Sequence, residues 1–502
     1  MKKLITIHHY LGTLFFMLFL VWFLSGFVMM YKSFPFLDKK GKIQSKELTS
    51  LTSKKIVPPS SIFELDSIET IHKLRINAIL NNIVYHIETG SGKLVSRYAK
   101  NGELVKLTKK KALAIAQNAT NLKSTAQVTI IKEVDQWIPR PKYIKHLPVY
   151  KVKFNNQEHT WVHISSLTGE VLNITTYNDR FWAWLGAIPH WIYFKDIRIH
   201  SYFWQQLILW LAGLGLLMTL TGIVTGLIRY KKKPKANFKR FKNKWYNLHY
   251  YFGLGFGLFI CTWVFSGFMS MTPFNWVPSS SLNAKEKKVW QGQNFNLKSI
   301  TSKNWDTLKK IASKSNFKEI HFSLFNNNIF IEKFNKDTVE NHCITNSNYK
   351  VSNNQYASKI NEFHPQEKVT KLLVLDAYDS YYYDRKNIKT LPVVKIITNQ
   401  DTYYYINPKT NRVLLKSAPK NRAERWLYHG LHSLDFSFLT KNRPLWDIVL
   451  IFLLIGGTVT CITATGLGIK FIKRKTKKHL KKNKLKRKKN ITYTKRRTIT
   501  IK

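Results

Sequence analysis

The feature that most constrains this chain is that its hydrophobic segments, and the histidines attached to them, occur twice. His8, Gly12, Trp22, Ser25, Gly26, Phe27 and Met30 recur 241 positions later as His249, Gly253, Trp263, Ser266, Gly267, Phe268 and Met271. His190, Trp204, Gly215, Thr221 and Gly226 recur at 242 as His432, Trp446, Gly457, Thr463 and Gly468. A chain built from two copies of one unit gives each of these histidines a counterpart. Two pairs follow: His8 with His249, and His190 with His432.

The overall composition masks the hydrophobic segments. Mean hydropathy is −0.24 and charged residues make up 22%, yet Tyr10–Tyr31, Trp204–Ile228, Tyr246–Val277 and Leu445–Ile469 are almost free of charge. Each is long enough to cross a bilayer, which takes about 20 apolar residues. The first apolar run exceeds the roughly 7–15 residues of a signal peptide and lacks a small-residue cleavage site, so an uncleaved span is expected. The predicted organisation is span 1 over 4–32, an outer domain over 38–180, and an interfacial segment with span 2 over 181–230. A basic loop follows over 231–244, then span 3 over 245–277, a second outer domain over 278–420, and an interfacial segment with span 4 over 421–472. A basic tail over 473–502, expected to be disordered, completes the chain.

Charge sets the expected orientation. Arg229–Lys244 carries nine Lys/Arg and no acid, Lys470–Lys502 carries seventeen and no acid, and the chain starts Met1-Lys2-Lys3. The positive-inside rule puts these segments in the cytoplasm and the two large loops in the periplasm of a bacterial inner membrane. About half of the net charge of +53 lies in those flanks, where topology and anionic headgroups account for it. The remainder shows no aromatic-interleaved basic clusters, so the expected partner is the lipid bilayer and not nucleic acid. The three cysteines, Cys261, Cys343 and Cys461, build neither a disulfide framework nor a thiolate metal site.

Both outer segments read as α+β. Thr108 caps a helical stretch, and the alternating strands Val149–Phe154 and Thr160–Ile164 lead to the turn Leu167-Thr-Gly-Glu170. Leu391–Ile397, Thr402–Ile406 and Asn407-Pro-Lys-Thr410 repeat that hairpin, and Ile83–Ile87 before Thr89-Gly90 suggests another. A helix followed by a Tyr-x-Val-x-Phe strand and a strand ending in Thr-Gly-x-Val-Leu resembles the PepSY domain. Two such units hung between four spans, with His-x-x-x-Gly opening spans one and three and Ser-Gly closing them, resemble the PepSY-associated transmembrane family. That family includes iron-regulated membrane proteins and ferric-siderophore reductases. The chain departs from the usual PepSY pattern, in which an Asp commonly precedes the Thr-Gly turn: Ser165 and Asn407 hold those strand ends.

Ionisable groups near a membrane span usually mark function. A b-type haem needs neutral imidazoles on facing helices and an apolar slot, and repeats of like orientation bring equivalent histidines to one axis at one depth. His8/His249 and His190/His432 are therefore the predicted axial ligands of the iron, with two haem b groups expected. His9, His200 and His429 are the alternative ligands. Gly12, Gly253, Gly255 and Gly257, with Gly213, Gly215, Gly456 and Gly457, either make room for a macrocycle or allow close helix packing. His86, His146, His159, His163, His321, His342 and His364 are expected to be surface or core residues of the outer domains.

No nucleotide fingerprint, His-Glu-x-x-His, nucleophile elbow or flavin domain is visible, so catalytic residues are unassigned. Electrons would have to come from a separate cytoplasmic donor or the quinone pool. The reading is an α-helical membrane protein, a four-span bundle of two tandem two-span repeats with two periplasmic PepSY-like α+β domains, that transfers electrons outward. The family resemblance implies a ferric chelate as acceptor. The alternative is a non-enzymatic membrane protein acting as a peptidase regulator or envelope sensor.

Overall fold

A computed structural model describes the chain apart from residues 53–55, 65–67, 69–70, 233–239, 294, 296, 337, 385–387 and 500–502. Among the described residues three helices are long and apolar enough to cross a membrane: α1 (Lys2–Met29), α2 (Ser201–Lys232) and α5 (Leu445–Ile499). A further pair, α3 (Lys244–Gly255) and α4 (Gly257–Met269), passes the same test together but bends by 63°. Counted as one crossing, the pair raises the number to four.

The bend falls within the third span expected over 245–277, and its cause is local. Gly253, Gly255 and Gly257 alternate through the joint, weakening the helix where Phe256 adopts φ −107°, ψ −5°. The Phe256 ring enters a notch at Gly456 of α5, where an added methyl would overlap it. Phe23 fills the adjoining notch at Gly457 in the same way. Phe15, Phe19, Met218, Ile260, Val264 and Leu454 knit the helices into one apolar core. Past Lys473, where an unstructured tail is expected, α5 continues as a lysine-rich helix whose Lys475 reaches the Tyr10 hydroxyl at 2.9 Å.

The polar segments form three antiparallel sheets. The first half supplies β1 (Ile71–Ile79), β2 (Asn82–Thr89), β3 (Leu94–Tyr98), β4 (Ala126–Ile131), β5 (Val149–Phe154), β6 (Trp161–Ser165) and β7 (Val171–Thr175). The second supplies β8 (Glu319–Phe325), β9 (Asn328–Phe334), β10 (Val339–Cys343), β11 (Val369–Leu375), β12 (Val393–Thr398), β13 (Tyr403–Asn407) and β14 (Arg412–Ser417). Strands β4-β5-β6-β7 and β11-β12-β13-β14 make two four-stranded sheets of equal order. The helix Lys109–Thr120, capped by the Thr108 hydroxyl accepting from the Lys111 N–H at 3.3 Å, packs Ala112, Ile115 and Ala116 on the first of them.

The third sheet joins the halves. Its order is β10-β9-β8-β1-β2-β3, with Ile76 opposite Ile320 at the central β1·β8 pairing. Without this pairing β1 and β8 would each present an open edge strand, and the cross-pairing covers both edges. Trp305, Leu308 and Ala312 of the helix Ser302–Ser313 cover this shared sheet.

A buried ion cluster sits on the seam. Arg75 binds Glu170 of the first half and, at 2.9 Å, Glu319 of the second; Lys46 binds the same two carboxylates. Burial pushes both carboxyls up. Arg75 and Lys46, with His321 at Glu319, outweigh it and hold them well below the usual range. His86 lies beside the cluster, bonded to Ser96 and Asn77, and burial pushes its imidazole down to about 3.

Candidate functional site: two histidine pairs

His8 lies two turns into α1 and His249 near the start of α3, whose first turn is held by the Asn243 side chain accepting from the Trp245 N–H. Their ring centres are 6.2 Å apart, with planes inclined by 34°. His190 sits on the short helix Ala187–Trp191. His432 sits on Leu431–Ser433, directly after a π-helical turn. Their ring centres are 6.1 Å apart, inclined by 75°.

Equivalent contacts hold the two short helices. Each ends in a left-handed residue, Ile192 or Leu434. The Trp204 indole donates to the Trp191 carbonyl at 2.8 Å, and Trp446 to the Ser433 carbonyl at 2.9 Å, tying each segment to the helix that follows.

The hydrogen bonds fix the tautomer of all four rings. His8 Nδ1 faces the Met218 carbonyl at 3.1 Å, and His249 Nδ1 faces the Thr460 carbonyl at 3.3 Å. A carbonyl only accepts, so Nδ1 carries the proton in both. Thr463, 3.1 Å from His249 Nδ1, spends its own proton on the Thr460 carbonyl. Ser25 and Ser266 donate to the Trp22 and Trp263 carbonyls, leaving their oxygens to accept from His190 and His432 Nδ1 at 3.0 Å each. Each Nε2 is then an unprotonated donor, the form in which an imidazole binds a metal. Burial pushes His432 down to about 4 and His190 to the same value, the latter helped by His432, so both stay neutral at pH 7.

A cavity of about 650 Å³ surrounds the His8/His249 pair. The glycines divide by role. A methyl at Gly12, Gly253 or Gly255 would meet open space, and Gly12 and Gly253 line the cavity. Gly215 instead admits the Phe19 ring, as Gly456 and Gly457 admit theirs. Gly222 makes room for a histidine, since a methyl there would stand 2.7 Å from His8 Cε1.

The alternative histidines lie aside. His9 is on the cavity wall, 5.9 Å from the Phe471 ring centre. His200 is exposed ahead of α2, and the His429 ring centre lies 4.5 Å from that of Tyr428, tilted by 42°. Among the described residues no group of three or more His, Cys, Asp or Glu converges as a metal site. Sequence reasoning overlooked the partners of the rings. Ser25, Ser266 and Thr463 each belong to the set recurring at 241–242, which was the signal available for them.

The profile of the PepSY-associated TM region matches residues 5–341. The chain belongs to the PepSY-associated transmembrane family. It is therefore a membrane protein, and the PepSY-associated match spans His8, His190 and His249 while ending before His432. No curated protein sequence matches the chain.

Proposed function

We propose that this PepSY-associated protein is a membrane electron carrier in which His8/His249 and His190/His432 each hold one b-type haem. In this reading the chain is a four-span bundle of two tandem two-span repeats. Both termini are cytoplasmic, and the sheets lie on the periplasmic face of the inner membrane, as the basic flanks direct.

One observation carries it: the spacing of the rings. Two imidazole nitrogens each about 2 Å from a shared metal, with a ring centre about 1.2 Å behind each nitrogen, place the centres about 6.3 Å apart. The two pairs lie at 6.2 and 6.1 Å, and the four rings have Nδ1 engaged and Nε2 free of its proton. Cofactor sites commonly measure about 300–1,000 Å³, a range that includes the 650 Å³ cavity. A haem held this way supplies one-electron transfer, with its potential set by ligands and burial.

The residues between the pairs bear on the path. His8 and Ser25, the partner of His190, stand seventeen residues apart on α1, or about 25 Å at 1.5 Å per residue. The pairs thus mark opposite ends of the helices. With no nucleotide or flavin fingerprint, reduction would come from a cytoplasmic protein or membrane quinol. The family resemblance points to a ferric chelate, of the siderophore type, as the acceptor on the sheet side. A purely regulatory PepSY anchor would give no reason for two matched histidine pairs.

The test is an absorption spectrum of the detergent-purified chain. Dithionite reduction should produce b-type bands, with pyridine haemochromogen near two haems per chain; a colourless protein would overturn the reading.

A further inference from the structure

The cavity around His8 and His249 is lined largely by residues that match across the 241–242 offset: His9 and Tyr250, Gly12 and Gly253, Gly226 and Gly468. A pocket alike on both sides gives an unsymmetrical ligand no preferred way round. One matched pair breaks the likeness in charge, because Arg229 on one side corresponds to Phe471 on the other. Among the described residues lining the cavity, Arg229 is the only lysine or arginine.

Its surroundings offer no carboxylate. The segments 1–31, 201–269 and 448–502 contain no Asp or Glu at all. Asp447 lies at the other end of the bundle, bonded to Tyr31 and Arg443. The Arg229 guanidinium stacks 4.1 Å from the Phe241 ring centre. A stacked guanidinium keeps its N–H edge for a planar anion, which it can grip through two parallel hydrogen bonds. Whatever topology asks of the other residues in that flank, Arg229 alone faces the cavity, and with no acidic partner in these helices its N–H edge is available to an anion on the ligand.

We propose that Arg229 is a carboxylate-binding subsite: it pairs with a carboxylate on the edge of the macrocycle held by His8 and His249, and so fixes which way round the macrocycle sits. This rests on the haem reading above. Arg229 is a positioning residue, and ligation stays with the histidines.

The test follows haem transfer from the full-length purified protein to excess apomyoglobin. R229L should lose the haem of the His8/His249 site about tenfold faster or more, the factor expected for a lost charge-assisted hydrogen bond of roughly 1.5–3 kcal/mol. R229K keeps the charge but neither the stacking nor the two parallel hydrogen bonds, so its release should fall between wild type and R229L. In R229L/F471R the cation returns on the matched side, and slow release should return with it. Persisting bands from the His190/His432 site report that each variant is folded. Wild-type release from R229L, or release from R229L/F471R no slower than from R229L, would overturn the proposal and leave the haem reading standing. A wild-type protein without b-type bands would remove both.

Discussion

At the scale of single residues, the ring geometry makes unequal predictions for histidines that look alike in sequence. His8→Ala and His249→Ala should give one shared spectrum, with one haem lost or made high-spin, because the two rings face each other at 6.2 Å. His432→Ala should affect the other haem. Reduced optical spectra and low-temperature EPR check this, and different haems affected by His8→Ala and His249→Ala would rule out the pairing. His86→Ala and His364→Ala should leave both signals intact, since His86 bonds within the sheet and His364 bonds Glu286. Gly222→Ala should act like a partial loss of His8, because the added methyl would press on its ring. Ser25→Ala should weaken retention at the His190 site by about 10–100-fold, the usual cost of removing a ligand's supporting hydrogen bond. The four histidines were legible because they recur. The acceptors at Met218 and Thr460 were not, because they are backbone carbonyls on helices some 210 residues away, and no side-chain pattern reports a carbonyl.

At the scale of elements, the seam between β1 and β8 should be acid-sensitive. Glu170 and Glu319 have carboxyls depressed by folding. Such groups contribute stability that is complete above their unfolded value near 4.3 and is lost as pH falls towards the folded one. Neutral buried His86, which must take up a proton, acts in the same direction. Tryptophan-fluorescence melting between pH 7 and pH 3 should therefore show a fall that begins below about pH 6.5, where His86 departs from its unfolded titration, and steepens below about pH 4.5 with the carboxylates. Arg75→Met should cost about 3–5 kcal/mol at pH 7, because it strips a buried cation from two carboxylates and leaves them to Lys46. It should also flatten the acid-side fall. The strands themselves were readable: alternation marks Val149–Phe154, and β5 has those bounds. The β1·β8 pairing was hidden, because edge partners 246 residues apart, Arg75 and His321, carry no local signal. The bend at Phe256 escaped notice for a related reason. Alternate glycines suit both a straight span and a kink, and the notch at Gly456 decides between them.

At the scale of the whole molecule, the charge asymmetry predicts that reporter fusions at Lys100 and Lys350 both behave as periplasmic; cytoplasmic behaviour at either would reverse the orientation. Truncation after Lys473 should leave the spectrum and melting unchanged, because the removed segment is lysine-rich and lacks apolar periodicity. The shared six-stranded sheet adds a constraint on time. During synthesis β1 emerges long before β8, and at about 5–20 residues per second the 246 residues between Arg75 and His321 take roughly 10–50 s. For that interval the first half is outside the membrane with an open strand edge while α2, α3 and α4 are still being inserted. Assembly of the outer layer is thus gated by completion of the third hydrophobic segment, and a ribosome stalled before residue 319 leaves behind a sticky, half-built protein.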